Sequence, residues 1–217
     1  FWFGLIGLSL LAIHALPLLA RLWDGPKALR RTLELCVIAL AMPPLTKWHM
    51  WEISDAGLAL VALGGTLLVG VGIARGWKVD SRAADSRFAW LAATCGGLLA
   101  LAIVLILPLW LASIGIGVVA AGLLFFGKVA QDRRIEPIAA AFVGVAILAL
   151  TATPSVFDEL ARLFDGADGD GGRAFLRWAA LGLIATIFAV RADGAIVRRL
   201  GQVAAALLAY GAFAQII

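Results

Sequence analysis

Phe88 to Gly127 is a run of forty residues without one Asp, Glu, Lys, Arg or His. A single helix of that length extends about 60 Å at ~1.5 Å per residue, twice the roughly 30 Å of a bilayer's hydrocarbon core. Such a segment has to fold back on itself. Its one marked interruption is Pro108 in Leu-Pro-Leu-Trp, where the missing backbone N–H and the restricted preceding residue work against helix. The run therefore predicts two membrane-spanning helices, residues 88–107 and 109–127, meeting in a tight turn near Pro108 and Trp110.

The rest of the chain follows the same pattern. Apolar residues make up 63% of the 217 and charged residues 15%, against about 45 to 50% and about 25% in soluble domains. Six further apolar stretches read as spans, at 1–20, 32–45, 56–74, 138–153, 174–190 and 200–217. The second ends at Pro43 and Pro44, and the sixth in chain order opens just after Pro137 and meets Pro154. Glycines at 57, 64, 65, 70 and 72 in the third, and Gly115, Gly117, Ala121 and Gly122 in the fifth, predict close helix–helix approach, because packing holds membrane helices together. Between Ser155 and Arg173 the pattern changes. Val156, Phe157, Leu160, Leu163 and Phe164 fall at helical spacing and suggest a short helix on the membrane surface, followed by the acidic loop DGADGDGG.

The distribution of charge sets an orientation. Fourteen of the eighteen Lys and Arg residues lie in the connections after the first, third, fifth and seventh spans, leaving Lys47, Arg162, Arg173 and Arg177 elsewhere. That alternation satisfies the positive-inside rule with the basic loops cytoplasmic and Phe1 and Ile217 on the outer side. The fold class expected is all-α, a polytopic transmembrane bundle of about eight spans arranged as serial outward hairpins, forming one transmembrane domain over 1–217. The net charge of +4 is accounted for by these loops, so no nucleic-acid partner is expected. Phe1 and Ile217 both sit inside apolar runs, which reads as a piece of a longer protein.

LPLWLASIGIGVVAAGLLFF and DRRIEPIAAAFVGVAILALTATP carry an apolar, Pro-Trp, apolar, basic rhythm. In this the chain resembles the very large bacterial membrane proteins of unknown function that are built from many tandem spans. The resemblance implies a bacterial inner membrane location and a long parent chain, and it carries over no functional residue.

Few side chains could carry chemistry. Glu34 and His14 lie within predicted spans, where an ionisable group costs about 2.5 to 3.5 kcal/mol at the centre and is a functional candidate by default. They read either as a proton-relay or ion-coupling pair, or as Glu34 bonded to Arg30 or Arg31 at the interface with His14 donating to a neighbouring helix. Arg177, in the first turn of the seventh span, reads as a side chain snorkelling to the headgroups or as an outer anion site. His49, Glu52 and Asp55 share an outer turn with Trp48, Met50 and Trp51. His and Glu three apart can act as acid and base or as two metal ligands, but no third or fourth ligand accompanies them, and an aromatic belt with polar tips explains the same residues.

Other chemistry is set aside. Asp165, Asp168 and Asp170 suggest calcium, but counting from Asp168 puts Gly172 and Ala179 where an EF-hand loop needs an acidic ligand. Cys36 and Cys95 stand alone in apolar runs and read as small hydrophobes. No phosphate-binding loop, GxSxG, HExxH or CxxC is present, so neither cofactor nor metal is expected. Three functions follow. The preferred one is a non-enzymatic scaffold or accessory subunit of a larger membrane complex or transporter, in contact with lipid and with other subunits or further spans of its own chain. A transporter or lipid-handling protein in its own right would draw on Thr66, Thr94, Ser113, Gln202 and Tyr210. An outer-face membrane enzyme would gather His49, Glu52, Arg177 and the acidic loop around one cavity.

Overall fold

A computed structural model describes residues 2–25, 28–77, 85–153, 156, 157, 159 and 171–215. Among these residues there are eight α-helices and no strand: α1 Trp2–Ala20, α2 Ala28–His49, α3 Asp55–Gly76, α4 Arg87–Ile106, α5 Leu109–Ala130, α6 Ile135–Thr151, α7 Gly171–Arg191 and α8 Ala195–Phe213. Four stretches are long and apolar enough to cross a membrane: Asp55–Gly76, Arg87–Ile106, Leu109–Ala130 and Gly172–Arg191. Ser9–Ala20 and Ile135–Thr151 are apolar but shorter. The amphipathic segment predicted after Ser155 and the acidic loop with Asp165, Asp168 and Asp170 lie outside the described residues, except that Val156, Phe157 and Glu159 carry helical backbone.

Prolines divide the helices less than their sequence signal suggests. α1 runs through Pro17, and α2 runs through Pro43 and Pro44 to end at His49, beyond the 32–45 read from sequence. Proline in a helix interior frees the carbonyl four residues earlier, here those of Ala39 and Leu40. α3 brings Gly65 against the freed Ala39 carbonyl, where an added Cβ would stand 3.3 Å from the oxygen, and beyond the prolines the Thr46 hydroxyl donates to the Met42 carbonyl at 2.7 Å. At Pro108 the helix does stop. α4 ends at Ile106 and α5 starts at Leu109, with the Pro108 carbonyl accepting from the N–H groups of Leu111 and Ala112 at 2.9 and 3.2 Å.

The chain divides into two compact units. In the first, Phe1–Ile106 with Gly127–Ile135, α2 touches α1, α3 and α4, and α3 packs on α4. Its core interleaves Ala15, Leu19 and Leu22 with Leu35, Ala39, Ala62, Val69, Leu91, Leu98 and Ala102. Small residues let the helices approach. A Cβ at Gly72 would lie 3.0 Å from Leu22, and one at Gly76 would lie inside the Trp23 indole. Gly64 and Gly70 have nothing within 4 Å of that position, so the close approach expected of every α3 glycine holds for one face only.

In the second unit, Leu107–Phe126 with Glu136–Ile217, α7 and α8 form an antiparallel pair across the short connection 192–194. Gly201 meets the α7 backbone directly: its Cβ would stand 2.7 Å from the Ala189 nitrogen. Gly211 accepts the Trp178 ring in the same way, and Gly117 of α5 meets Ile184 and Leu181. At Gly122, counted with Gly117 on the small face of α5, a Cβ would meet open space.

Candidate functional site

The basic residues of the loops after α1 and α3 have a defined structural task in the first unit. The last residue of α1 and the turn that follows it present carbonyls beyond the helix's own ladder of N–H groups. Arginines from three other helices reach them. Arg75 of α3 donates to Ala20 O at 3.2 Å, Arg31 of α2 to Arg21 O and Asp24 O at 2.9 and 2.8 Å, and Arg87 of α4 to Leu22 O at 3.0 Å. Cations at the negative end of a helix macrodipole add to these bonds. Trp23 holds the turn down: its indole N–H donates to Gly72 O at 3.0 Å, its ring lies 4.9 Å from that of Phe88, and the Arg87 guanidinium stacks 4.3 Å above it. Asp85 pairs with Arg87 from the other side.

The candidates read from sequence do not assemble in this unit. Glu34 bonds to Arg30 one turn away at 2.7 Å, on the exposed face of α2, as the interfacial reading anticipated. His14 is exposed on α1. Among the described residues no hydrogen bond or ion pair joins Glu34 to His14. His49 closes α2, Glu52 follows in a turn, and both are exposed, as are Trp48 and Trp51 at 82% and 77%. Lys47 donates to Ile53 O at 3.2 Å and Ser54 caps α3 through the Gly57 N–H at 3.1 Å, so this turn is shaped by backbone bonds, with Asp55 in the first turn of α3. No cluster of three His, Cys, Asp or Glu side chains able to hold a metal occurs among the described residues. Cys36 and Cys95 are free thiols, Cys36 in the core and Cys95 packed against it.

Arg177 departs from the sequence reading. It does not snorkel to the surface: it is 2% exposed and forms an ion pair with Glu159, whose side chain is 7% exposed. The second carboxylate oxygen of Glu159 accepts the Trp178 indole N–H at 3.0 Å, and its backbone carbonyl accepts the Gln215 side-chain amide at 3.1 Å. A guanidinium kept out of water needs a paired carboxylate, and the acidic residue supplied is eighteen positions earlier in the chain. Sequence reasoning put the segment that contains Glu159 in a short surface helix and did not single out Glu159. The signal that could have joined them was the mismatch itself, an arginine inside an apolar span with acids in the loop before it.

Glu136 was missed too. From the first turn of α6 its carboxylate accepts the N–H groups of Asp193 and Gly194 at 3.0 and 2.8 Å, and so caps α8, whose own N-cap residue, Gly194, has no side chain to do so. Acidic charge at a helix N-terminus is favourable, which explains why Glu136 tolerates near-complete burial.

In the second unit a groove of about 460 Å³ runs between α6, α7 and α8. Val143, Gly144, Ile147, Phe188, Val203 and Leu207 form its walls, and Trp178 and Thr151 stand at one end. The polar groups read as transporter candidates stay out of it: Thr66 back-bonds to Ala62 O at 3.0 Å, Thr94 and Ser113 are buried elsewhere, and Gln202 and Tyr210 are exposed on α8. No protein family, curated protein or solved structure matches this chain.

Proposed function

We propose that this chain is a non-enzymatic integral membrane protein that serves as a scaffold or accessory subunit of a larger membrane complex or transporter. On this reading all eight helices cross the bacterial inner membrane as serial hairpins, with the basic loops cytoplasmic. The observation that carries it is how the polar groups are used. Hydroxyls of Thr46, Thr66 and Thr186 bond to carbonyls of their own helices, and that of Thr153 bonds to Ala149 O in the last turn of α6. Arg31, Arg75 and Arg87 close α1, Glu136 closes α8, and Arg177 is neutralised by Glu159. Large apolar side chains face outward along the helices: Leu10, Ile13 and Leu16 of α1 are 61 to 63% exposed and Leu60 and Leu67 of α3 69 and 72%. Such faces suit lipid or other helices.

Two measurements test this. Purification of the full-length protein in mild detergent should bring down a membrane protein in fixed stoichiometry; a lone chain that moves solute in proteoliposomes overturns the scaffold reading. For topology, a cysteine replacing Trp110, with Cys36 and Cys95 changed to Ala, should react only with reagent applied outside. Labelling from the cytoplasmic side alone overturns the orientation. The groove favours a second reading, a lipid-handling protein, because its walls are apolar along most of their length.

A further inference from the structure

We propose that Ser113 of α5 and Arg177 of α7 hold a single buried water molecule between their two helices, beside the carboxylate of Glu159. This site does not depend on the scaffold role proposed above. The Ser113 hydroxyl carries it. Ser113 has no exposed surface, and its Oγ has no hydrogen-bond partner among the described residues. A hydroxyl within a helix can bond back to the carbonyl four residues earlier, as those of Thr46, Thr66 and Thr186 do. Ser113 does not, and a polar group taken out of water and left unmet is costly.

Helical register sets what lies opposite Ser113. Two contacts within the second unit align α5 with α7: the Arg173 guanidinium stands 5.7 Å from the centre of the Trp110 ring, and a Cβ at Gly117 would stand 2.7 Å from Ile184 and 3.2 Å from Leu181. Both helices advance in the same direction between these contacts. Ser113 precedes Gly117 by four residues, and Arg177 precedes Leu181 by four. Residues four apart share a helix face, so Ser113 and Arg177 meet at one level, between the two contacts.

Arg177 brings hydrogen-bond donors to that level. A guanidinium offers five N–H groups in a planar fork; Nη2 serves Glu159, and the buried Nε and Nη1 make no hydrogen bond among the described residues. Charge then selects the ligand. Arg177 and Glu159 neutralise each other, so an anion added here introduces an uncompensated charge out of water, and a cation meets the guanidinium directly; both are strongly disfavoured. A neutral molecule that accepts from Arg177 and shares a hydrogen bond with Ser113 avoids that cost. Water is the smallest such molecule, and a buried water typically makes about three hydrogen bonds to groups of this kind. It ties α5 to α7 one turn before the contact at Gly117.

The test is a structure of the full-length protein in detergent, at a resolution that shows ordered water, together with the unfolding midpoint of Ser113→Ala. A compact density peak is expected within about 2.7 to 3.2 Å of both Ser113 Oγ and a nitrogen of Arg177, and it should give no anomalous signal when bromide replaces chloride in the buffer. An anomalous peak makes the ligand an anion and overturns the proposal. So does the absence of a peak with Ser113 Oγ bonded to Leu109 O or directly to Arg177. The variant supplies a second readout whose sign differs between the alternatives. Removing a hydroxyl that holds a water should lower the midpoint by roughly 2 to 4 °C. Removing a hydroxyl that bonds to nothing leaves the midpoint unchanged or raises it, and that outcome also overturns the site. Neither readout involves a partner subunit, so failure here leaves the scaffold reading to its own test.

Discussion

Arg87, the first residue of α4, donates from Nη1 to the carbonyl oxygen of Leu22 at 3.0 Å in the turn that follows α1. The same guanidinium covers the Trp23 ring and pairs with Asp85. One side chain thus joins the start of a membrane-type helix to the end of another, 65 positions away in sequence. Replacing Arg87 with Met keeps the apolar stem and removes the donor and the charge. A hydrogen bond involving a charged group contributes about 1.5 to 3 kcal/mol and a cation–π contact about 0.5 to 1. Thermal unfolding of the purified protein should therefore shift down by several degrees for Arg87→Met and by less for Arg87→Lys, which keeps the charge; an unchanged midpoint for both sinks the assignment.

Asp85 gives the same cluster a pH signature. Burial works against its charge, but hydrogen bonds from the Arg87 guanidinium and backbone N–H, with the charges of Arg87 and Arg134, outweigh burial and hold the carboxyl below its ordinary value of 3.8. A carboxyl with a lowered folded-state value takes up its proton more readily in the unfolded chain. Its contribution is therefore complete above pH 3.8 and is lost as pH falls through the lowered value. The stability difference between wild type and Asp85→Asn should stay constant from neutral pH to about 4 and shrink below it, followed by thermal unfolding at stepped pH. A difference that grows on acidification contradicts the sign.

Glu136 makes a prediction local to the second unit. Its carboxylate takes the N–H groups of Asp193 and of Gly194, the residue that caps α8, and removal of an N-terminal acceptor costs about 0.5 to 2 kcal/mol. Hydrogen exchange at the amides of Asp193 and Gly194 should accelerate about tenfold in Glu136→Ala and less in Glu136→Gln, which keeps one acceptor oxygen. Gly194→Ala should act alike, since its Cβ would stand 2.7 Å from the carboxylate. Exchange unchanged in all three variants removes Glu136 as the cap.

These clusters mark where sequence reasoning reached and where it stopped. The all-helical class and the stop at Pro108 were legible, because an uncharged run longer than a bilayer is thick admits few solutions. Pro43 and Pro44 misled: a proline's lost donor is visible in sequence, whereas the close approach of Gly65 to the freed Ala39 carbonyl depends on which faces meet. The basic loops were legible as charge but not as caps, since nothing in the string pairs Arg31, Arg75 and Arg87 with carbonyls of one turn. Glu159 and Arg177 were both visible; that they touch is a fact of folding.

Adjacent glycines on α3 and the α7–α8 contact separate packing from composition. Gly64 and Gly65 are neighbours about 100° apart around a helix; a Cβ meets nothing at the first and Leu98 at 3.1 Å at the second. Gly64→Ala should leave the unfolding midpoint unchanged or raise it slightly, as expected where alanine replaces glycine in a helix. Gly201→Ala should lower it, because its Cβ would stand 2.7 Å from the Ala189 backbone nitrogen, which cannot swing aside as a side-chain end can. Equal effects at both positions would mean that α7 and α8 are not held at this distance.

The buried pair of Arg177 and Glu159 supports a prediction with two arms. Removing one partner strands a charge out of water, at about 3 to 5 kcal/mol, while replacing both with apolar residues of similar volume is often neutral or stabilising. Glu159→Leu and Arg177→Met should each depress the unfolding midpoint strongly, and the double variant should recover most of the loss. Glu159→Gln separates charge from hydrogen bonding, because an amide oxygen still accepts from Trp178 while the ion pair is gone. If the singles add in the double variant, the two side chains do not interact as an isolated pair. If Arg177→Met alone is harmless, the guanidinium reaches water or lipid phosphate after all, and the snorkelling read from sequence stands over the ion pair.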